Sequence, residues 1–223
     1  MLAEELAKKI DHTQLRPNAT VDDIRKLCDE AKKYGFYGVC VSPSYVRTAK
    51  KFLENTDIKV ISVVGFPLGN TYTEVKVLEA EKLVDDGVDE IDMVMNISAF
   101  KSGMYDLVKD DIRAVVNAVK PIPVKVIIET CYLSDDEKIK ATEIAIEAGA
   151  AFVKTSTGFG PEGAKVEDIA LIKRIFGDKI KIKASGGIKD AKTAIEMIKA
   201  GADRIGASRG VQIIESLKEL QEP

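Results

Sequence analysis

Ile180-Lys181-Ile182-Lys183-Ala184-Ser185-Gly186-Gly187, continued by Ile188-Lys189-Asp190 and Ala191-Lys192-Thr193-Ala194-Ile195-Glu196-Met197-Ile198-Lys199-Ala200-Gly201, is the unit from which the chain is built. Residues 180–184 predict a short strand, Ser185-Gly186-Gly187 a loop, and residues 191–200 a helix that Gly201 ends. The same order recurs in both directions. Downstream, residues 204–207 predict a strand, Ser208-Arg209-Gly210 a loop and residues 211–219 a helix. Upstream, strands are predicted at residues 10–13, 38–41, 59–65, 90–96, 124–129 and 152–156. Helices follow them at residues 21–34, 45–53, 73–86, 105–119, 135–148 and 166–176, with residues 97–103 read as loop and residues 2–9 as a short leading helix. Thr20 and Ser134 are good N-caps, and Gly35, Gly87 and Gly149 close helices.

Strict alternation of short, apolar strands with helices implies a parallel sheet covered on both faces. Eight such units in 223 residues predict a closed (β/α)8 TIM barrel, with residues 1–223 forming one domain. The first unit is the weakest. A doubly wound open sheet is the alternative, and its edge strands should be more polar.

Composition excludes several classes. Hydrophobic residues make up 45% and charged residues 31%, with a net charge of −3 and interspersed signs, so no basic stripe points to nucleic acid. No apolar run approaches the ~18 residues of a membrane span, and Met1-Leu2-Ala3-Glu4-Glu5 is not a signal peptide. Cys28, Cys40 and Cys131 are odd in number and lack a CxxC spacing, which fits a reducing cytoplasm and argues against structural zinc. His12 is the only histidine, which speaks against histidine metal sites and histidine-activated nucleophiles, so no metal and no cofactor is expected. No G-x-G-x-x-G follows a strand, so nicotinamide or flavin chemistry is poorly supported.

In a barrel, chemistry belongs at the C-terminal strand ends. There Phe152-Val153-Lys154-Thr155-Ser156-Thr157-Gly158-Phe159-Gly160 carries a lysine in an apolar strand. Such a lysine is costly, because burial penalises its charged form, and is tolerated where a reactive amine is useful. Lys154 reads as a Schiff-base nucleophile; the plainer reading is a lysine solvated at the strand mouth. Lys183, on the neighbouring strand, is expected close by. At ~6 Å and an effective dielectric of ~20, two like charges repel by roughly 2.8 kcal/mol, about two pKa units. That is a route to a nucleophilic amine. Asp92, on a strand across the interior, is placed to pair with the second lysine and relay protons. Its plainer reading is an ion pair with Lys125 or Lys183 that only fills the barrel. Asp11, Cys40 and Lys125 are further pocket candidates, Cys40 reading more simply as a small core residue.

The phosphate signal is separate. Ser185-Gly186-Gly187 and Gly206-Ala207-Ser208-Arg209-Gly210 each precede a helix, and Thr157-Gly158 could add donors. Glycines let backbone N–H groups approach an anion, and the loops after the seventh and eighth strands are the usual phosphate pair of these barrels. A small molecule carrying a phosphate is therefore the expected partner, and the resemblance given next implies a phosphosugar.

Taken together, Val153-Lys154-Thr155-Ser156-Thr157-Gly158-Phe159, Lys183-Ala184-Ser185-Gly186-Gly187-Ile188 and Glu90-Ile91-Asp92-Met93-Val94 closely resemble the deoxyribose-phosphate aldolase family. Ile10-Asp11-His12-Thr13, Val39-Cys40-Val41, Val64-Gly65-Phe66-Pro67-Leu68-Gly69 and Val124-Lys125-Val126-Ile127-Ile128-Glu129-Thr130 extend the resemblance over nearly the whole chain. It implies a metal-independent class I aldolase that reversibly cleaves 2-deoxy-D-ribose 5-phosphate to acetaldehyde and D-glyceraldehyde 3-phosphate. By position it implies Lys154 as the Schiff-base lysine, Lys183 as the lysine that perturbs it, and Asp92 as the relay carboxylate. It likewise implies Ser185, Gly186, Gly187, Gly206 and Ser208 as the phosphate pocket. Phe159 stands where some members carry a lysine, and Arg209 where some carry a serine. Some members have a tail ending in tyrosine that covers the site, whereas this chain ends Leu220-Gln221-Glu222-Pro223. A homo-oligomer, dimer or tetramer, is expected. Two rivals remain: another Schiff-base phosphosugar enzyme of transaldolase type, and a non-catalytic phosphosugar-binding barrel.

Overall fold

Short β-branched runs that are apolar on both faces need cover on both faces, and the structure supplies it by closing the sheet on itself. The computed structural model describes residues 1–221; of the four terminal residues singled out above, Glu222 and Pro223 lie outside the described residues. The strands are β1 (Ile10–Gln14), β2 (Gly38–Val41), β3 (Lys59–Val64), β4 (Glu90–Val94), β5 (Val124–Ile127), β6 (Phe152–Lys154), β7 (Lys181–Ser185) and β8 (Arg204–Ala207). Each pairs in parallel with the next, and β8 returns to β1 with Gly206 opposite Asp11, which closes the barrel and excludes the open sheet.

The helices are α1 (Ala3–Ala7), α2 (Val21–Tyr34), α3 (Val46–Phe52), α4 (Thr73–Asp85), α5 (Ile97–Lys101), α6 (Tyr105–Val119), α7 (Asp135–Glu147), α8 (Val166–Phe176), α9 (Ala191–Ala200) and α10 (Gly210–Gln221). Thr20 caps α2 reciprocally: its hydroxyl accepts from the Asp23 N–H, and the Asp23 carboxylate accepts from the Thr20 N–H at 2.7 Å. Gly35 ends that helix at φ 71°, where only glycine escapes a steric penalty. No helix among the described residues is long and apolar enough to cross a membrane.

Two expectations are corrected. The stretch read as loop after β4 contains α5, which starts where the Asn96 side chain accepts from the Ala99 N–H at 3.0 Å and which buries Ala99 and Phe100. Five residues are too few for a readable period. Strands β4, β5 and β6 also stop two residues sooner than their apolar runs suggest. Past those ends the chains splay while still bonding irregularly, as in Ile128 N–H to Lys154 O (3.0 Å) and Thr130 N–H to Thr155 O (2.9 Å).

Alternation along each strand sorts the side chains. Ile91 and Met93 face the main apolar core between sheet and helices, while Asp92 faces inward. Cys40, Ile61 and Val63 form a separate apolar cluster with Leu15 and Phe66, lining one side of the barrel interior.

One buried pair fixes the end of β4. Lys76 of α4 is fully buried; its Nζ donates to the Val94 carbonyl (2.9 Å) and pairs with Asp111 of α6 (2.6 Å), which also accepts from the Thr73 hydroxyl (2.8 Å). Burial pushes the Lys76 amine down, and Asp111 opposes it. Asp111→Ala should cost roughly 3–5 kcal/mol, because it strands a buried ammonium. Urea unfolding at neutral pH checks this, and a cost under about 1 kcal/mol would contradict it.

Candidate active site

Inside the barrel, charged side chains from successive strands meet on one carboxylate. Asp92 of β4 is fully buried. Its Oδ2 accepts from Lys154 Nζ of β6 (2.9 Å) and from Lys183 Nζ of β7 (2.8 Å), and its Oδ1 from Lys125 Nζ of β5 (2.9 Å). The register explains the meeting: Asp92 lies opposite Lys125, and Lys154 opposite Lys183. Lys183 is also paired with Asp11 of β1 (2.6 Å), and Lys125 with Glu90 of β4 (2.6 Å). Below them Arg204 of β8 joins Asp11 (3.0 Å) to Glu90 (3.3 Å), and the Tyr37 hydroxyl donates to Glu90 (2.6 Å).

The electrostatics follow from these contacts. Burial alone would push the Asp92 carboxyl up, but Lys125, Lys154 and Lys183 hold it well below the usual carboxylate range. Burial likewise opposes the charge on Asp11, and Lys183, Arg204 and Lys125 keep its carboxyl low. Lys183 is raised: burial disfavours its charge, and Asp11 and Asp92 outweigh that. This corrects the simple picture of two repelling amines. A carboxylate sits between them, and Asp11 and Asp92 favour the charged form of Lys183.

A cavity of about 770 Å³ opens above this network at the C-terminal end of the barrel. Of the charged candidates only Lys154 lines it. Asp92, Lys183, Lys125 and Asp11 lie beneath, and Cys40 belongs to the interior apolar cluster, its thiol pushed up to about 11 mainly by burial. Asp11, Cys40 and Lys125 are thus supports under the pocket and not parts of its wall.

Thr157, Gly158, Ser185, Gly186, Gly187, Gly206 and Ser208 all line the cavity, as do Phe159 and Arg209. Gly158, Gly186 and Gly187 adopt positive φ (85°, 90° and 77°), open to glycine at little cost. Two of the assignments change in detail. The Ser185 hydroxyl donates to the Ser156 carbonyl (2.6 Å) and its N–H to Thr155 Oγ1 (3.1 Å), so it shapes the loop. Gly206 has a second duty, since a Cβ there would come within 2.9 Å of Lys183 Cε. Phe159 packs edge-on against Phe66, with centroids 5.5 Å apart. Arg16, Lys26, Lys189 and Arg209 bring positive charge to the cavity wall.

Sequence reading missed Glu90, Arg204 and Tyr37 as parts of the site. The signal was present: Glu90 shares a strand face with Asp92, and Arg204 with Gly206. It also missed the use of Glu129, whose carboxylate accepts from the Thr157 N–H (3.0 Å) and hydroxyl (2.5 Å), with its own backbone at φ 52°. Among the described residues, no group of three or more His, Cys, Asp or Glu is placed to hold a metal ion.

Fold and cavity together define a (β/α)8-barrel enzyme with an amine at the foot of its pocket. The chain belongs to the family described as DeoC/LacD family aldolase, whose pattern matches residues 6–215. It is 63% identical to the deoxyribose-phosphate aldolase of Aciduliprofundum boonei over 220 residues, covering 98% of this chain and 99% of that one. It is 56% identical to that of Thermococcus gammatolerans, covering 99% and 100%. Among solved structures, a deoxyribose phosphate aldolase from Aeropyrum pernix, described as having a unique tetrameric structure, superposes with a TM-score of 0.92 at 35% identity, covering 98% and 93%.

The carboxylates set the acid stability. Asp11 and Asp92 lie lower in the folded state than their ordinary 3.8, so their contribution is present above that value and lost as pH falls through their folded values. His12, pushed down from 6.5 by burial against the pull of Glu30, adds a shallower loss below that pH. Lys183, held above 10.5, contributes throughout this range. Calorimetry between pH 2 and 7 should show Tm falling most steeply below about pH 4; a fall already complete at pH 5 would contradict the pairing.

Proposed function

We propose that this chain cleaves 2-deoxy-D-ribose 5-phosphate reversibly to acetaldehyde and D-glyceraldehyde 3-phosphate, with Lys154 as the Schiff-base nucleophile. One observation carries the choice of lysine. Three amines touch Asp92, but among the described residues Lys125 and Lys183 each have a second carboxylate, whereas Lys154 has only Asp92 and alone of the three reaches the cavity. The amine least held by counter-charge is also the one a substrate meets.

The chemistry assigned to each group follows. The free amine of Lys154 attacks C1 of the open-chain sugar, and loss of water gives a protonated imine. That cation accepts the electron pair of the C2–C3 bond as the C3 hydroxyl loses its proton, releasing D-glyceraldehyde 3-phosphate and leaving a two-carbon enamine. Protonation of the enamine at C2 and hydrolysis of the imine release acetaldehyde and regenerate the amine. Lys125, Lys154 and Lys183 hold the Asp92 carboxyl below the usual carboxylate range. Its role is to hold an orienting negative charge beside the imine, with a water against it carrying the proton. Lys183 supplies a fixed positive charge that favours the neutral amine.

The phosphate is assigned to the loops after β7 and β8, where Gly186, Gly187, Gly206 and Ser208 form a wall ahead of helices α9 and α10. Arg209 and Lys189 supply charge on that side of the cavity. Remote binding of this kind aligns C1 with the amine. Assembly as a dimer or tetramer is supported by the exposed apolar side chains of Leu68, Tyr72, Val75 and Leu78 and by the tetramer described for the Aeropyrum pernix relative. A reducing cytoplasmic setting is supported by the three free cysteines.

Borohydride reduction in the presence of acetaldehyde should leave an ethyl adduct confined to Lys154 on peptide mass spectrometry. Lys154→Leu should fold, form no adduct and turn over no substrate. Lys183→Leu should lose at least ~10²-fold in kcat/KM near neutral pH. Turnover by Lys154→Leu would sink the assignment. An adduct without cleavage of the deoxy sugar phosphate, but with turnover of a ketose donor, would move the chain to a transaldolase-type reaction.

A further inference from the structure

We propose that Glu90 and Arg204, at the floor of the barrel, are positioning residues that set from below, with opposite signs, the pH at which the Lys154 amine reacts. The proposal rests on Lys154 being the Schiff-base lysine. Facing Lys154 are Asp92 from β4, Lys125 from β5 and Lys183 from β7, with Asp11 from β1 and Cys40 from β2 behind them. Glu129, past the end of β5, faces the pocket side through Thr157. Neither Glu90 nor Arg204 touches Lys154, but each is bonded to groups that hold its surroundings.

Glu90 pairs with Lys125, which donates to Asp92. Arg204 pairs with Asp11, which holds Lys183, the second donor to the same Asp92 oxygen that Lys154 uses. The two chains rejoin where Arg204 donates to Glu90. Tyr37 anchors the floor: its hydroxyl donates to Glu90 (2.6 Å) and its ring lies 3.4 Å under the Arg204 guanidinium. Phe152, two residues before Lys154, has Arg204 at 5.5 Å, Lys125 at 5.6 Å and Lys181 at 5.5 Å from its ring centre. The linked network carries four cations, Lys125, Lys154, Lys183 and Arg204, against three carboxylates, Asp11, Glu90 and Asp92. It is neutral when the reacting amine is uncharged. Removing Glu90's charge makes the interior more positive and favours the free amine; removing Arg204's does the reverse. At on the order of 10 Å and an effective dielectric of ~20, one unit charge is worth about one pKa unit.

The test is the pH dependence of cyanoborohydride trapping of acetaldehyde at Lys154. Relative to the parent, the midpoint should fall by about one unit in Glu90→Gln, rise by about one unit in Arg204→Gln, and return close to the parent in the double variant, which keeps the net charge. Tyr37→Phe, which removes a hydrogen bond but no charge, should leave the midpoint in place. Midpoints that move in the same direction or not at all, or a Tyr37→Phe shift as large as that of Glu90→Gln, would overturn the proposal. If Arg204→Gln does not fold, Glu90→Gln and the double variant still give different expectations, a lowered midpoint and one close to the parent. A parent protein that forms no adduct at Lys154 defeats the nucleophile assignment itself. A normal adduct with unmoved midpoints defeats only the role of the floor.

Discussion

A single carboxylate shared by three ammonium groups is the constraint on which the interior depends. Burying a lone Asp92 would cost several kcal/mol, and so would burying any one of Lys125, Lys154 or Lys183 alone. Together they form a bonded set that the strands of the barrel bring to one level. Such a set is not the most stable filling available, since well-packed apolar side chains often do as well or better. It stands in place of the Val, Ile and Leu layers usual in these barrels.

The barrel is divided by height and by side. Near the β2–β3 wall the interior is apolar, with Cys40, Ile61 and Val63 against Leu15 and Phe66. From β4 round to β1 it is ionic. Above both, loops build the cavity, so the groups that recognise a ligand and those that hold the reacting amine come from the same strands at different depths. Lys76 and Asp111 extend the arrangement outward, tying α4 and α6 to the carbonyl at the end of β4.

Much of this was legible in the sequence. Eight apolar runs punctuated by glycine pointed to the barrel over an open doubly wound sheet, and the pairing of β8 with β1 decides between them. Lys154, Lys183 and Asp92 stood out because charge within an apolar run is expensive. The charge balance did not show: a pair of lysines reads as repulsion until the carboxylate between them is placed, and only the register places it. Glu90 and Arg204 sat at strand starts, where charged residues are ordinary, so the strand face they share with Asp92 and Gly206 was their one mark. The short α5 escaped for a different reason, being held by one Asn96 cap and two buried side chains with no repeating pattern.

Gly206 joins the two depths. It stands in the wall where the phosphate is proposed to bind, yet its missing Cβ is what leaves room for the Lys183 chain beneath. Evolutionary drift in substrate preference is therefore not free to pass through this position, since any side chain that reshaped the recognition loop there would dislodge the cation below it. Gly158 and Gly187 are limited differently: open space surrounds them, and only their backbone angles ask for glycine. Phe159 and Arg209 are limited in neither way: they line the same pocket, and their side-chain contacts, with Phe66 and Gln212, lie outside the buried network.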